Sequence, residues 1–328
     1  MKNLSALFAL LLLLASLASG QTRYNVTDLG TLGGNYSYPK GVNSTGDVVG
    51  ISTVAGDASY HSFLWTATGG LQDIGTLGGD SAYAVAINSS QQIIGTSTTA
   101  DGYSHNFFWS PSTGMVPFGN GRLVGINLSG EVTGVAIGSD SQLHSFLWTA
   151  ATGKVDLGLA KGEKSAEATA LNDLGQVVGV AGNGEGFVWT KGRGNQPIAG
   201  SSYFTGIDNQ GAATGLIAIF SQFFGHAILW SESSGVTDIG TLTNLSNDVS
   251  EGFGISDNGQ VVGFSSKNGV SSYAFVYSKA SGMQELDTLI NSSWYIPTAW
   301  GINSAGEIIA TGIINGSNYP HALLLTPQ

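Results

Sequence analysis

The sequence has 328 residues, of which 49 are glycine, 10% are charged and none is cysteine. The net charge of −11 argues against a nucleic-acid partner, which needs a basic surface to contact phosphates, and against binding to anionic membranes. The absence of cysteine excludes disulfides and thiolate metal sites. Short apolar runs between glycines favour strands and turns over helices.

The first segment of the chain has the composition of a signal peptide. Lys2 precedes an apolar run over 4–17 that is short for a membrane span, and Ala18-Ser19-Gly20 fits a small-residue cleavage site. We therefore predict a signal peptide over 1–20 and one mature domain over 21–328, exported to the periplasm or the medium. An uncleaved anchor is the alternative. After cleavage we expect no membrane insertion.

The mature chain repeats one motif of about forty residues: a strand ending in Asn, a turn with Gly, Val-Val-Gly, and then His-x-Phe-Leu-Trp. Four strands can be placed in the first repeat, at Lys40–Asn43, Asp47–Ser52, His61–Thr66 and Leu71–Gly75. Four strands per unit are typical of a propeller blade, so the sequence predicts an all-β, seven-bladed β-propeller. The last position of the motif is occupied by Trp65, Trp109, Trp148, Trp189, Trp230, Tyr277 and Leu325.

The two ends of the chain indicate how the ring closes. The sequence stops after the third strand of its last repeat, His321–Thr326, and begins with a strand without its own repeat, Tyr24–Gly30, which matches the outer strand Val236–Gly240. We predict that the N-terminal strand completes the last blade, because closure removes the unpaired edges of an open array.

Several residue types recur at fixed positions of the repeat, and each has a structural role. Each inner-to-second turn opens with Asn or a similar polar residue, and all but one close with Gly, as from Asn43 to Gly46. Gln91 replaces that Gly in the second repeat, so we predict a looser hairpin there. A small residue stands near the end of every inner strand, where seven strands would crowd one axis. The outer strand carries an acid or proline, which we interpret as edge protection: Asp28, Asp73, Pro117, Asp156, Pro197, Asp238 and Glu285.

Two motifs recur in order over nearly all of the mature chain. One is Asp28-Leu29-Gly30-Thr31-Leu32-Gly33-Gly34, with an echo at 73–79; the other is His61-Ser62-Phe63-Leu64-Trp65, with an echo at 226–230. On these motifs the sequence resembles the bacterial extracellular HAF-repeat family, although Glu185-Gly186 and Tyr273 depart from the pattern. The family takes its name from its repeat, so the resemblance implies a secreted propeller-like protein and no particular reaction.

The residues that could carry chemistry follow the repeat rather than gathering at one site. All five histidines share one offset, so we predict a hydrogen-bonded residue on each of five blades rather than a metal site. The Gly-Thr-Leu-Gly-Gly stretches lack the features of a phosphate loop and are interpreted as inter-blade turns. We predict no catalytic residue, no metal and no cofactor. The alternatives are a carbohydrate-active hydrolase or lyase with paired carboxylates, or a calcium site at 247–251; the acidic candidates are Asp57, Asp80, Asp101, Glu163, Glu167, Asp248 and Glu251.

The leading functional hypothesis concerns one face of the propeller. Second-to-third and outer-to-inner loops are predicted to be long, variable and rich in aromatic residues, and function often lies on variable loops of a rigid scaffold. We therefore predict a non-enzymatic binding module for an extracellular glycan or protein, acting as a monomer. A purely structural extracellular or surface protein is a further alternative. The candidate ligand-binding residues are Tyr38, Tyr60, Tyr83, Tyr103, Phe223, Phe224, Trp294 and Tyr295.

Overall fold

The computed structural model describes residues 22–219, 224–314 and 316–328. The predicted signal peptide, residues 1–20, and the candidate Phe223 lie outside the described residues, as does the side chain of Phe224. Among the described residues, a helix with the length and hydropathy of a membrane span is absent.

The described chain is almost entirely β-structure. The N-terminal strand is β1 (Tyr24–Asp28). The first three blades contain β2 (Gly33–Val42), β3 (Val48–Val54), β4 (Tyr60–Thr66), β5 (Gly70–Asp73); β6 (Gly78–Ile87), β7 (Ile93–Thr99), β8 (Ser104–Ser110), β9 (Gly114–Pro117); β10 (Arg122–Ile126), β11 (Val132–Ile137), β12 (Leu143–Thr149), β13 (Gly153–Asp156).

The remaining four blades follow the same pattern. They contain β14 (Ala166–Leu171), β15 (Val177–Ala181), β16 (Gly186–Thr190), β17 (Gly194–Ile198); β18 (Tyr203–Ile207), β19 (Ala213–Ile219), β20 (Phe224–Ser231), β21 (Gly235–Asp238); β22 (Ser250–Ile255), β23 (Val261–Lys267), β24 (Ser271–Ser278), β25 (Gly282–Glu285); β26 (Trp294–Ile302), β27 (Ile308–Ile314), β28 (Pro320–Pro327). A short 3₁₀ helix, Leu286–Leu289, precedes the seventh blade.

The seven four-stranded sheets are antiparallel, and each runs from an inner strand to an outer one. The last sheet takes its outer strand from the other end of the chain, since β1 pairs with β28 from Tyr24 opposite Pro327 to Asp28 opposite Leu323. The predicted seven-bladed propeller, with the N-terminal strand closing the last blade, is therefore confirmed.

The core lies between neighbouring blades. Between the first and second, for example, Val49 and Leu64 pack with Ile74, Ile93 and Phe107. Each sheet thus buries side chains on both faces, most fully in its second and third strands, as in β3 and β4.

Every inner strand contains a β-bulge next to the small residue predicted from the sequence. The small residue touches the next inner strand: a Cβ on Gly254 would lie 2.8 Å from the Cα of Gly301, and one on Gly41 would lie 3.4 Å from the Cα of Ala86. The predicted crowding around the axis is confirmed. The bulged residues are Lys40, Val85, Val124, Thr169, Thr205, Phe253 and Trp300.

Two predictions about local structure were wrong. The inner strand of the first blade begins at Gly33 rather than at Lys40, because its pairing with β3 continues to Gly33 opposite Val54. The hairpin at Gln91 is not loose, since its amide donates to the Asn88 carbonyl at 3.0 Å as Gly46 does to Asn43 at 3.2 Å. Gln91 adopts the left-handed conformation, with φ of 55°, that glycine adopts elsewhere.

Candidate functional site

The antiparallel blades place alternate connections at opposite ends of the ring. The inner-to-second and third-to-outer turns lie at one end, the turn face; the second-to-third and outer-to-inner connections lie at the other, the loop face. Inner strands run from the loop face to the turn face. Residues early in these strands therefore surround the mouth of the central channel at the loop face.

The candidate binding residues lie near the loop face, but most are on strands rather than on loops. Their positions are Tyr38, Tyr83, Trp294 and Tyr295 on inner strands, Tyr60 and Phe224 at the start of third strands, and Tyr103 in the connection 100–103. The predicted long loops are found only in part: second-to-third connections are short, as at 55–59 and 268–270, whereas the outer-to-inner connections 157–165 and 239–249 are long. The strands extend further towards this face than the sequence suggested.

Aromatic pairs join neighbouring blades along one side of the loop face. Tyr273 and Tyr295 meet edge to face with ring centroids 5.6 Å apart, and Tyr319 and Tyr36 do so at 5.2 Å. A third pair, on the first and second blades, is 6.1 Å apart. The set extends over the sixth, seventh, first and second blades, and we call it the aromatic arc: Tyr273, Trp294, Tyr295, Tyr319, Tyr36, Tyr38, Tyr60 and Tyr83.

The arc presents ring surface to solvent. Tyr319, Tyr83 and Tyr295 are 42%, 41% and 36% exposed, while Tyr38 and Tyr60 are half-buried. Because each exposed ring packs against a second ring, its orientation is set before any ligand arrives. Preorganised rings lose little conformational entropy on binding.

The other side of the channel mouth carries charged and hydroxyl groups in hydrogen-bonded pairs. Arg122 donates to Glu167 at 2.9 Å across the third and fourth blades, and the Tyr203 hydroxyl donates to Glu251 at 2.7 Å across the fifth and sixth. Burial raises the pKa of both Tyr203 and Glu251. Both carboxylates are thus held by side chains of a neighbouring blade.

Three bulged residues form a stack in the channel wall below the aromatic arc. The rings of Phe253 and Trp300 are stacked with centroids 5.1 Å apart, and the Lys40 ammonium lies 5.6 Å from the centroid of Trp300. Trp300 Nε1 donates to Thr311 Oγ1 at 2.8 Å, which orients the indole. These residues hold equivalent positions on the sixth, seventh and first blades, and we call them the Phe–Trp–Lys stack.

The histidines make the hydrogen bonds predicted for them in four blades, and their partners are the outer-strand acids. The Nδ1 to Asp distances are 2.7 Å for His61 and 2.9 Å for His226. Pairing with histidine gives the recurring Asp of the outer strand a second role, in addition to the edge protection inferred from the sequence. The hydrogen bond with Asp28 raises the pKa of His321. The four pairs are His61–Asp73, His144–Asp156, His226–Asp238 and His321–Asp28.

Six of the seven candidate catalytic and calcium-binding acids are engaged in hydrogen bonds, whereas Asp80 is exposed on β6 and makes none with the described residues. Asp57 accepts the Asn35 amide and Glu163 accepts the Asn183 amide, so each carboxylate holds a connection in place. Asp248 is fully buried and accepts the Gly269 amide at 3.1 Å. The carboxylate of Glu251 faces Tyr203 instead. Asp248 and Glu251 therefore serve different parts of the sixth blade.

A concavity on the turn face was not predicted from the sequence. A cavity of about 190 Å³ lies on the channel axis and is lined by the same three positions of every blade, such as Val42-Asn43-Ser44. The Asn43 amide donates to the Asn88 carbonyl at 3.2 Å, and four further asparagines bond the next blade in the same way. The asparagine side chains of this wall join blades to one another. Their recurrence at the turn was visible in the sequence, but their inter-blade partners were not.

Comparison with known proteins supports the fold. No family model and no curated protein matches the chain. Among solved structures, the chain is similar to the β-propeller domain of the Trilobed protease from Pyrococcus furiosus, with a TM-score of 0.58, 9% identity, and coverage of 89% of this chain and 97% of that one. An oligogalacturonate lyase from Vibrio parahaemolyticus has a TM-score of 0.53 at 11% identity, with coverage of 92% and 93%.

Longer enzymes that contain a similar region also match. The acylaminoacyl peptidase of Pyrococcus horikoshii has a TM-score of 0.54 at 10% identity, and the match covers 88% of this chain but 51% of the peptidase. At these identities the likeness concerns the propeller fold alone.

Proposed function

We propose that the protein is a secreted, non-enzymatic binding module whose aromatic arc binds an extracellular polysaccharide. The observation that carries the proposal is the three partly exposed ring pairs on the loop face, each of which joins two of four neighbouring blades. Tyrosine suits such a surface because its ring packs against apolar sugar faces and its hydroxyl exchanges hydrogen bonds with sugar hydroxyls.

The size of the arc favours a polymer over a small ligand. Its pairs join the sixth blade to the seventh, the seventh to the first, and the first to the second, so several sugar units could be contacted in succession. Polar groups lie beside the rings, as where Asp57 accepts from Asn35. The engagement of six of the seven candidate acids in hydrogen bonds, which leaves Asp80 without a second free carboxylate among them, is the reason for proposing binding rather than hydrolysis.

Secretion is proposed from the composition of residues 1–20 and from the resemblance to HAF repeats. The protein recovered from the medium of its producing cell should begin at Gln21 when its N terminus is sequenced. Cell-associated protein that retains Lys2 would contradict secretion without affecting the binding proposal.

The binding proposal is tested by screening the mature protein on a glycan array and then titrating the best polymer against variants. Substituting both Tyr83→Ala and Tyr295→Ala should weaken binding by about tenfold or more, since each ring contributes on the order of 1 kcal/mol. The matched control is Leu174→Ala, which removes a side chain that is 67% exposed, in the inner-to-second turn of the fourth blade on the turn face. Equal affinity in the tyrosine variant and the control would place binding elsewhere, and failure to bind any glycan would refute the proposal.

A further inference from the structure

We infer that the polysaccharide is acidic and that Lys40 binds its anionic groups. This inference rests on the proposed function of the aromatic arc and specifies the ligand class. The observation that supports it is the position of the Lys40 ammonium group in the channel wall.

Lys40 lies directly below the arc. It follows Tyr38 by two residues on β2, so its backbone is roughly 7 Å deeper in the channel at the usual rise of a strand. Its side chain is accessible to solvent, and its ammonium lies 5.6 Å from the centroid of Trp300. A sugar unit resting on Tyr38 and Tyr83 could therefore direct a substituent to Lys40.

The charge of Lys40 is not neutralised by the protein. Among residues that the structure describes, none forms an ion pair or a hydrogen bond with its ammonium, and burial alone lowers its pKa. Placing a cation in a partly desolvated channel is unfavourable, and contact with the Trp300 ring offsets only part of that cost. An anionic ligand beside Lys40 would offset the rest of this desolvation cost.

Two of the other charged side chains near the channel mouth, one cation and one carboxylate, are already engaged. Arg122 is bound to Glu167, and Glu251 accepts from Tyr203. Lys40, which has no such partner among the described residues, is a cation there that can attract an anion despite the overall charge of −11.

The test compares polygalacturonate with the same polymer after its carboxylates have been reduced to alcohols, using affinity electrophoresis of the mature protein. The wild type should bind the acidic polymer about tenfold more tightly, the usual order for a charge-assisted contact. Lys40→Met should abolish this preference, whereas Lys40→Arg should keep it. A sulfated polygalactan provides a further arm: equal affinity for it would indicate recognition of charge, and weaker affinity would indicate recognition of the carboxylate.

A second measurement does not depend on any variant. The preference of the wild type should shrink as salt rises to 1 M, because screening weakens contacts of an accessible charge. Equal affinity for polygalacturonate and its reduced form, or a preference that survives in Lys40→Met, would overturn the inference while leaving the aromatic site intact. If the wild type bound no polysaccharide at all, the proposed function would fail and this inference with it.

Discussion

In five of the seven inner-to-second turns, one asparagine both closes the hairpin and joins two blades. Asn43 Oδ1 accepts from the amides of Thr45 and Asp47, at 3.0 and 2.9 Å, while its Nδ2 donates to the carbonyl of Asn88 on the next blade. The residue is 4% exposed, and every polar atom of its side chain has a partner. A buried amide satisfied in this way stabilises the structure without an uncompensated polar group.

The fifth blade departs from this arrangement because it has Asp208. The carboxylate accepts from Gln210 and Ala212 as an asparagine would, but it cannot donate to the next blade. Burial raises the pKa of Asp208, and the nearby charge of Asp257 raises it further. The ionised form therefore opposes folding at neutral pH.

Replacing Asp208 by Asn should stabilise the protein by about 1 kcal/mol at pH 7, the usual net value of a new hydrogen bond. Because the pKa of Asp208 is raised in the folded state, the folded protein takes up a proton as the pH falls through that pKa, and the free energy of unfolding of the wild type increases. The difference in stability between Asp208→Asn and the wild type should therefore shrink in acid. Thermal unfolding at pH 7 and pH 4 measures both effects. The reverse change in the preceding blade, Asn172→Asp, should destabilise; an equal or lower midpoint for Asp208→Asn at pH 7 would contradict the explanation.

At the level of the strands, the glycine of Val-Val-Gly and the phenylalanine of His-x-Phe form one packing unit. A Cβ on Gly50 would lie 2.6 Å from the ring of Phe63, and one on Gly134 would lie 2.8 Å from the ring of Phe146. The phenylalanine lies across the second strand where that strand has no side chain. This contact explains why the two sequence motifs recur together.

Gly134→Ala should therefore be severely destabilising, by about 3 kcal/mol or more, since the new methyl would also lie 2.3 Å from the Arg122 carbonyl. The matched control is Gly125→Ala in the same blade, where the nearest atom is 3.4 Å away and where other blades already carry Ala86 and Ala170. Urea unfolding of the two variants gives the comparison. Similar urea midpoints would show that the contact with phenylalanine is not what excludes a side chain at Gly134.

For the whole molecule, stability depends on joining the two ends of the chain. β1 contributes Tyr24, which is 1% exposed within a cluster that includes Leu286, Leu289 and Ile290, and Asp28, which binds His321. Leu29 is also buried and donates its amide to Ala322 at 3.0 Å. Without this segment, β28 would be an exposed edge above an open apolar layer.

Deleting Tyr24–Gly30 should leave a protein that aggregates or fails to melt cooperatively. The control is a circular permutant that moves the strand instead of removing it. It contains residues 31–328, then a short glycine-rich turn, then residues 24–30. A short turn can connect the two segments because Tyr24 lies opposite Pro327. Size-exclusion chromatography and thermal unfolding distinguish the two proteins. A soluble, cooperatively melting deletion would show that ring closure is dispensable.

The repeat made the fold predictable, whereas the candidate site was predictable only in part. Local patterns specify a blade, and seven similar blades leave few ways to arrange them. The sequence indicates the aromatic residues but predicts loops at Tyr38 and Tyr83, because the strand pairing that extends to Gly33 and Gly78 has no apolar signal in glycine-rich sequence. Lys40 and Trp300 were not recognised because a β-bulge orients them, and bulges follow from pairing between strands.

By itself, the sequence determined the number of blades, their strand order, the closing role of Tyr24–Gly30 and the spacing of the histidines on separate blades. These properties follow from patterns within one repeat and from its count. Only the tertiary structure decided which residues meet across blades: His321 with Asp28, Arg122 with Glu167, and Phe253 with Trp300 and Lys40. Such contacts join residues on different blades or at opposite ends of the chain, so they exist only once neighbouring blades have packed together or the ring has closed.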